Sequence, residues 1–318
     1  LRTATPSRLK LLAQAYADHA RRLQSLLSPL RLADKHATLD THLGLRTRLP
    51  PGQDLSSYYV NLHRDWAWGE AENTASCALS TDLLGAPTPG RMLILGAGAG
   101  RLAYDLHRAL GPALTVAADI NPLLLLAAAR ILRGDGVSLY EFPIAPRRLE
   151  DHAILRTLKA PAPVDGAFHL VFADALHAPF QPEGFDTIVT PWLVDILATD
   201  FADLAPRINR LLRPGGRWLN FGSLAFSHRE AALCYTLEEV IEVLQASGFA
   251  CAQTREVTLP YMHSPASRHA RMESVVAFVA DKTAAVPVPG PHATLPSWIV
   301  TETQPVPLRP ELRMTAAA

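Results

Sequence analysis

A short apolar segment followed by a glycine-rich turn constrains this chain more than any other feature. Residues 92–95 are Met, Leu, Ile and Leu, and such a run is typical of a buried parallel strand. The run ends at Gly96, Ala97, Gly98, Ala99 and Gly100, and a helical pattern over 101–110 follows directly. Glycines permit a tight turn and a close approach of a ligand to the backbone, and the N–H groups at the start of a helix face that ligand. The segment therefore predicts a nucleotide-type cofactor site.

The spacing of the glycines narrows the choice of cofactor. A dinucleotide fingerprint reads G-x-G-x-x-G, and its third glycine would stand at position 101, which is Arg101 here. The pattern G-x-G-x-G instead resembles the first motif of class I S-adenosylmethionine (SAM) methyltransferases. Gly96, Gly98 and Gly100 are therefore predicted to bind SAM, and an NAD(P)-dependent oxidoreductase is disfavoured. A glycine-rich turn of some other α/β protein remains the alternative.

An acidic residue at the end of the second predicted strand supports this interpretation. Residues 114–118 form an apolar strand that ends at Asp119. A carboxylate in this position can accept hydrogen bonds from both ribose hydroxyls of a nucleotide ligand. Alternatively, Asp119 caps the helix predicted over 122–133, although Asn121 is equally suited to capping, with Pro122 near the first turn.

The remaining pattern predicts the fold class. Strands and helices alternate from residue 92, which implies right-handed crossovers and a doubly wound, mostly parallel α/β sheet. Residues 213–216 (Arg, Pro, Gly, Gly) predict a turn before a strand over 217–222, and later strands predict an antiparallel hairpin at the sheet edge. The expected domains are an N-terminal helical cap (1–88, with helices near 5–29 and 58–84), a methyltransferase domain (89–282, with a Pro-rich insertion at 136–167 over the ligand edge) and a Pro/Ala-rich tail (283–318).

Charge and composition give no support for nucleic-acid binding, a membrane span or a metal site. The formal net charge is zero, so electrostatics give no reason to expect nucleic-acid or membrane-surface binding. The sequence lacks both a long apolar run and a recognisable signal peptide, and its three cysteines form no C-x-x-C pair. We therefore predict a cytoplasmic protein without a metal site or a membrane span. The sequence leaves the oligomeric state open.

Several segments in order resemble the carnosine N-methyltransferase (N2227-like) family. They are His63-Arg64-Asp65-Trp66, the glycine turn at 96–100, the segment 186–190 followed by Asp195, and the segment 211–222. The similarity covers about residues 55–281. That family uses SAM to methylate a ring nitrogen of histidine in a dipeptide.

The resemblance implies further cofactor contacts from Asn61, Arg64, Asp174 and Pro191. Arg64 is expected to hold the methionine carboxylate of SAM in a charge-assisted pair. The alternative is a surface arginine paired with Asp65. Asp174 is expected to contact the adenine, and its alternative is a loop-capping residue.

The first residues predicted to bind the methyl acceptor stand at the end of the fourth strand of the predicted sheet. Asp195 is the candidate catalytic carboxylate that would hold the distal N–H of the imidazole, and its alternative is the N-cap of the following helix. Tyr261 is a second catalytic candidate. Trp192 is expected to bind the substrate or to sit in the core, and His63 and Asn220 are further substrate-binding candidates.

The sequence departs from the family at two places. Phe226 and Ser227 replace a Tyr-His pair, and residues 271–273 (Arg, Met, Glu) replace a tyrosine-rich stretch. The predicted acceptor is therefore a histidine in a small molecule or peptide rather than carnosine itself. A methyltransferase with another N or O acceptor and a catalytically silent SAM-fold binding protein are the alternatives.

Overall fold

The computed structural model describes residues 6–28, 58–85, 89–164, 166–228 and 230–288. Most of the predicted tail and the segment 31–57 lie outside these ranges. The helices are α1 (Pro6–Leu27), α2 (Tyr59–His63), α3 (Glu70–Leu84), α4 (Arg101–Leu110), α5 (Pro122–Leu132), α6 (Phe201–Leu211) and α7 (Leu237–Ala246). The strands are β1 (Arg91–Leu95), β2 (Leu114–Asp119), β3 (Val137–Glu141), β4 (Ile154–Leu158), β5 (Phe168–Phe172), β6 (Phe185–Pro191), β7 (Leu212–Gly222), β8 (Phe249–Tyr261) and β9 (Arg271–Lys282).

A seven-stranded sheet in the order β5-β2-β1-β6-β7-β9-β8 forms the centre of the molecule. The pairs among β5, β2, β1, β6 and β7 are parallel, whereas β9 runs antiparallel to both β7 and β8. The strand order reverses at β1, because β2 and β5 extend from one side of it and β6 and β7 from the other. Ligands bind at such a switch point in open α/β sheets. The predicted doubly wound sheet with an antiparallel edge hairpin is confirmed.

Burial on both faces explains the apolar composition of β1. Leu93 and Leu95 pack into one hydrophobic core, and Met92 and Ile94 pack into another on the opposite face of the sheet. All four side chains are at most 1% exposed. A strand covered on both faces cannot alternate polar and apolar residues, so β1 is a continuous apolar run. The glycine turn directly follows this buried strand and therefore lies at the carboxyl edge of the parallel strands.

The segment 213–216 is a bulge within β7 rather than a turn before it. The β6–β7 register passes from Phe185 opposite Leu212 directly to Thr187 opposite Arg217. Gly215, within the bulge, has a φ of +71°. The extra residues let β7 start at the end of α6 and still align with β6, so the chain needs no separate loop.

The predicted insertion forms a second, two-stranded antiparallel sheet of β3 and β4. Its apolar side chains Val137, Leu139 and Leu158 share a core with Leu26 of α1 and with the buried face of α5. The hairpin thus completes a hydrophobic layer beneath the N-terminal helix.

The predicted helix over 58–84 is interrupted. A π-helical turn, Arg64–Trp68, and Gly69 separate α2 from α3. A Cβ atom at position 69 would lie 2.3 Å from the carbonyl oxygen of Arg64, so only glycine permits this approach. Single π turns within helices are frequent at functional sites.

The π turn is anchored to the glycine turn. Trp66 Nε1 donates to the carbonyl oxygen of Ala99 at 2.9 Å, and Arg101 Nη1 donates to the carbonyl oxygen of Asp65 at 2.9 Å. Arg101 also forms ion pairs at 2.8 Å with Glu70 and with Asp105. These bonds hold the N-terminal region against the sheet edge. Within the described ranges, no helix combines the length and the apolar character that a bilayer span requires.

Candidate active site

A cavity of about 660 Å³ lies at the carboxyl edge of the parallel strands, and we call it the main cavity. Its size is that of an ordinary small-molecule site. Its walls come from the glycine turn, the ends of β2, β5 and β6, the α2–α3 region and the ends of β8 and β9. Among the predicted site residues, the structure brings the following to it: Asn61, Arg64, Gly96, Gly98, Asp119, Asp174, Pro191, Trp192, Asp195 and Tyr261. The walls include no described residue of the 136–167 insertion, which was expected over this edge.

Asp119 and Gly98 form the centre of the cofactor side. Asp119 Oδ2 accepts from the backbone N–H of Gly98 at 2.7 Å, and Oδ1 accepts from the N–H of Asn121 at 2.8 Å. Burial raises the pKa of Asp119, and these N–H donors oppose the rise. Asn121 supplies the side-chain cap of α5 through the N–H groups of Leu123 and Leu124. Asp119 is therefore not the helix cap and faces the cavity.

Gly98 adopts a φ of +57°, and no atom lies within 4 Å of a Cβ placed there. A side chain at this position would therefore project into open space beside the cavity. Gly96 is constrained differently, since its Cβ would lie 2.8 Å from Leu193. Gly100 does not line the main cavity but is the left-handed N-cap of α4. Its backbone closes the turn at the start of α4.

Arg64 lies in the wall as part of an ion-pair network. Its Nη2 is 2.7 Å from Asp65 and its Nη1 is 3.6 Å from Glu72. The side chain is only 12% exposed, so the alternative of a surface arginine is wrong although the pairing with Asp65 is real. Burial raises the pKa of Glu72, and the guanidinium of Arg64 opposes this. The network places a fixed cation and two carboxylates at one end of the cavity.

Asp174 serves as a local cap and also lines the cavity. Oδ1 accepts from the N–H of Leu176 at 2.9 Å, and Oδ2 lies 2.8 Å from Nδ1 of His177. The loop-capping alternative is therefore correct. Each carboxylate oxygen has a second lone pair, so capping and ligand contact are compatible.

Asp195 is a buried carboxylate at the opposite wall, and its side chain is fixed. It is 7% exposed, and Oδ2 accepts from Ser223 Oγ and from the N–H of Ala225, both at 2.9 Å. The N-cap of the next helix is Asp200, so the capping alternative for Asp195 is wrong. Both hydrogen bonds engage one oxygen, Oδ2, of a side chain that lines the main cavity.

Trp192 and Tyr261 form an aromatic wall of the main cavity, which Asp195 also lines. Their ring centroids are 4.6 Å apart. Trp192 has a φ of +50°, which is an unfavourable conformation for a bulky residue. Its backbone N–H donates to the carbonyl oxygen of Phe221 at 2.7 Å. Strain of this kind at a cavity wall indicates a constrained, functional position. Burial raises the pKa of Tyr261, and the guanidinium of Arg64 opposes the rise.

Two predicted substrate residues do not line the main cavity. Asn220 is fully buried in β7, where its Oδ1 accepts from Thr190 Oγ1 at 2.9 Å. His63 is also fully buried, and its Nε2 lies 3.2 Å from both Tyr59 Oη and the carbonyl oxygen of Tyr140. His63 therefore packs toward the β3–β4 hairpin while its neighbour Arg64 faces the cavity, because successive helical residues point in different directions. The structure does not support substrate contact by either residue.

The buried position of His63 predicts a pH-dependent stability. Burial lowers its pKa to about 4 from 6.5, so the unfolded chain takes up a proton more readily. The stability that the folded protein gains from burying His63 in its neutral form is complete above pH 6.5 and is lost as the pH falls toward 4. We expect wild type to lose about 3 kcal/mol more unfolding free energy over this interval than His63→Phe, by urea denaturation at several pH values.

Thr236→Ala supplies the control for this comparison. Thr236 caps α7 far from His63, in a capping box with Glu239. Its loss lowers stability by about 1 kcal/mol and should leave the pH dependence of wild type intact. If the unfolding free energies of wild type and His63→Phe change equally with pH, His63 is not the source of the pH dependence.

Sequence reasoning missed several residues of the wall. Glu72 lies there with its Oε2 accepting from the N–H of Met262 at 3.1 Å, a contact across the sequence that no local pattern reveals. Arg271 and Glu273 also line the cavity. They stand where the chain departs from the family pattern, and that departure was the available signal. Within the described ranges, His, Cys, Asp and Glu side chains form no group of three or more suited to a metal ion.

Comparisons with known proteins found one curated relative and several solved structures that resemble the chain. Carnosine N-methyltransferase unmet of Drosophila melanogaster is 25% identical over 198 residues, which are 56% of this chain and 42% of that protein. The chain thus spans less than half the length of this relative. Solved SAM-dependent methyltransferases from Mesorhizobium loti and Methanosarcina mazei are 16% and 15% identical, each with a TM-score of 0.42. They cover 66% and 62% of this chain and 97% and 94% of their own.

The family comparison covers the glycine turn, the aromatic wall and the edge hairpin, with only the last part of the cap. The sequence profile of carnosine N-methyltransferases matches residues 61–284, from Asn61 in the cavity wall to the end of the sheet. The chain belongs to the carnosine N-methyltransferase family.

Proposed function

We propose that the chain transfers a methyl group from SAM to an imidazole nitrogen of histidine in a small molecule or peptide. Membership of a methyltransferase family supports the reaction type. The observation that carries the imidazole acceptor is the buried carboxylate of Asp195, held by Ser223 and Ala225 in the wall of the main cavity. Such a carboxylate matches the distal N–H of an imidazole ring.

The residues of the cavity fit SAM. Asp119 would accept the ribose hydroxyls on its remaining lone pairs, next to the open backbone at Gly98. Arg64 would hold the methionine carboxylate, and Asp65 or Glu72 would hold the ammonium group. Asp174 would meet the adenine amine. When bound, SAM supplies an electrophilic methyl group on a positively charged sulfur.

The residues of this chain would then orient the acceptor. An imidazole with a pKa of roughly 6.5 is largely neutral near pH 7, so its free nitrogen is already nucleophilic. Asp195 accepts the N–H of the distal nitrogen, which fixes the tautomer and stabilises the imidazolium that forms. Trp192 and Tyr261 cover the site and exclude water. Positioning in a dry site is the main source of rate for such a direct displacement.

The test is methyl transfer from labelled SAM by the full chain. The acceptor panel contains L-histidine, β-alanyl-L-histidine and a histidine-containing peptide, with a primary amine and a phenol as controls for other acceptors. We expect labelled product only from imidazole acceptors. Transfer only to the amine or phenol would contradict the proposal. Binding of SAM by calorimetry without any transfer would instead identify a silent SAM-fold protein.

A further inference from the structure

The end of the β8–β9 hairpin presents a charged pair to the main cavity. The antiparallel register places Tyr261 opposite Arg271 and Leu259 opposite Glu273. Residues at alternate positions of a strand share a face, so Arg271 and Glu273 lie on the same face beside Tyr261, and all three line the cavity. Met272 between them belongs to the other face and is 62% exposed.

The guanidinium of Arg271 is held from two sides. It forms an ion pair with Glu273, and its central carbon lies 4.7 Å from the centroid of the Tyr261 ring. The Arg271 side chain is 54% exposed and that of Glu273 is 22% exposed. The cation, not the carboxylate, is therefore the more accessible member at the mouth. A guanidinium has five N–H donors and can engage a second carboxylate beside the first.

An aromatic wall connects this pair to the candidate catalytic carboxylate. Trp192 lies close to Asp195 in the chain, and its ring is 4.6 Å from that of Tyr261. Asp195 and Arg271 line the same cavity as these two rings, so an acceptor held at Asp195 shares that cavity with the guanidinium of Arg271. An anion is the group that a guanidinium at this point would bind.

We propose that Arg271 is a specificity-determining residue that binds a free carboxylate of the acceptor, with Glu273 as its positioning residue. This inference rests on the proposed function. The acceptor class is then a histidine with a free carboxylate, as the amino acid or at the carboxyl end of a short peptide. Internal histidines of longer chains and decarboxylated imidazoles are excluded as preferred acceptors.

The test compares matched acids and amides as methyl acceptors. The probes are L-histidine with L-histidinamide, and β-alanyl-L-histidine with its carboxamide. For wild type we expect a KM about tenfold lower for each acid than for its amide, with similar kcat. Arg271→Met should raise KM about tenfold for the acids and leave the amides unchanged. Arg271→Lys should restore part of the difference.

Glu273→Gln and Met272→Ala complete the comparison. Glu273→Gln should raise KM for the acids by a smaller factor without lowering kcat, because it loosens the guanidinium. Met272→Ala, on the opposite face of the same strand, should leave every parameter unchanged.

The possible failures are distinguishable. Equal KM for acid and amide, or equal effects of Arg271→Met on both, would overturn the role of Arg271 while the proposed function stands. Transfer to the histidine-containing peptide but to none of these four probes would overturn only the role of Arg271, and absence of transfer to all five would overturn both proposals.

Discussion

We expect Asp195→Asn to lower kcat for imidazole methylation by about 10²–10³-fold while SAM affinity is retained. Removal of one preorganised electrostatic group costs this much in other enzymes. The carboxylate is 7% exposed and held by two hydrogen bonds on Oδ2, so its charge is directed at the acceptor. Asparagine keeps the shape but lacks the charge that stabilises the imidazolium. Steady-state kinetics and SAM calorimetry measure the two effects separately.

Two further variants test whether the effect is specific to Asp195. Ser223→Ala removes one hydrogen bond to the carboxylate and should lower kcat by a smaller factor, since Ala225 still holds Oδ2. Asp135→Asn removes a carboxylate that is 57% exposed and should leave kcat unchanged. Retention of wild-type kcat by Asp195→Asn would exclude the proposed role.

Asp119→Ala is expected to raise the Kd for SAM by about 10²-fold or more. Hydrogen bonds to a charged group contribute about 1.5–3 kcal/mol each, and two ribose hydroxyls would be lost together. The backbone of Gly98 would also lose the acceptor that fixes the turn, at 2.7 Å. Calorimetric titration with SAM and with S-adenosylhomocysteine measures the change.

A stability-matched variant separates binding from folding in this experiment. Thr236→Ala removes the cap of α7, a helix whose residues do not line the main cavity. It should lower the unfolding free energy by about 1 kcal/mol with no change in Kd. If Asp119→Ala binds SAM as wild type does, the cofactor assignment is wrong.

Features with a local cause were predictable from the sequence. The strand, the glycine turn and α4 follow from burial, backbone freedom and periodicity within residues 91–110, and the structure confirms them. The capping role of Asn121 and the exposure of Asp119 to the cavity follow from the same kind of local chemistry. The parallel pairing of the first strands of the sheet follows from the alternation of strands and helices.

Features that depend on distant contacts were not predictable. The π turn before Gly69 is anchored by the contacts of Asp65 and Trp66 with Arg101 and Ala99, which lie more than thirty residues away in the chain. His63 is withdrawn from the cavity by Tyr59 and Tyr140, and the partner Tyr140 belongs to the β3–β4 hairpin. The insertion is rich in proline, so its composition did not predict the β3–β4 hairpin.

The acceptor side shows the same division. Trp192, Asp195 and Tyr261 were predicted because they follow strand ends or match a family pattern, and the structure brings them to one cavity. Glu72 reaches it from α3, and the Arg271–Glu273 pair reaches it from β9, which pairs with β7 and β8 within the sheet. Tertiary contacts of this kind leave no periodic signal in a single sequence.

The position of the transferred methyl group tests imidazole methylation most directly. The full chain is incubated with methyl-labelled SAM and L-histidine, and the product is analysed by tandem mass spectrometry and NMR. We expect a single label on one imidazole ring nitrogen, formed by wild type and reduced about 10²–10³-fold with Asp195→Asn. A label on the α-amine or on an oxygen, or equal product from the Asp195→Asn variant, would rule out this function.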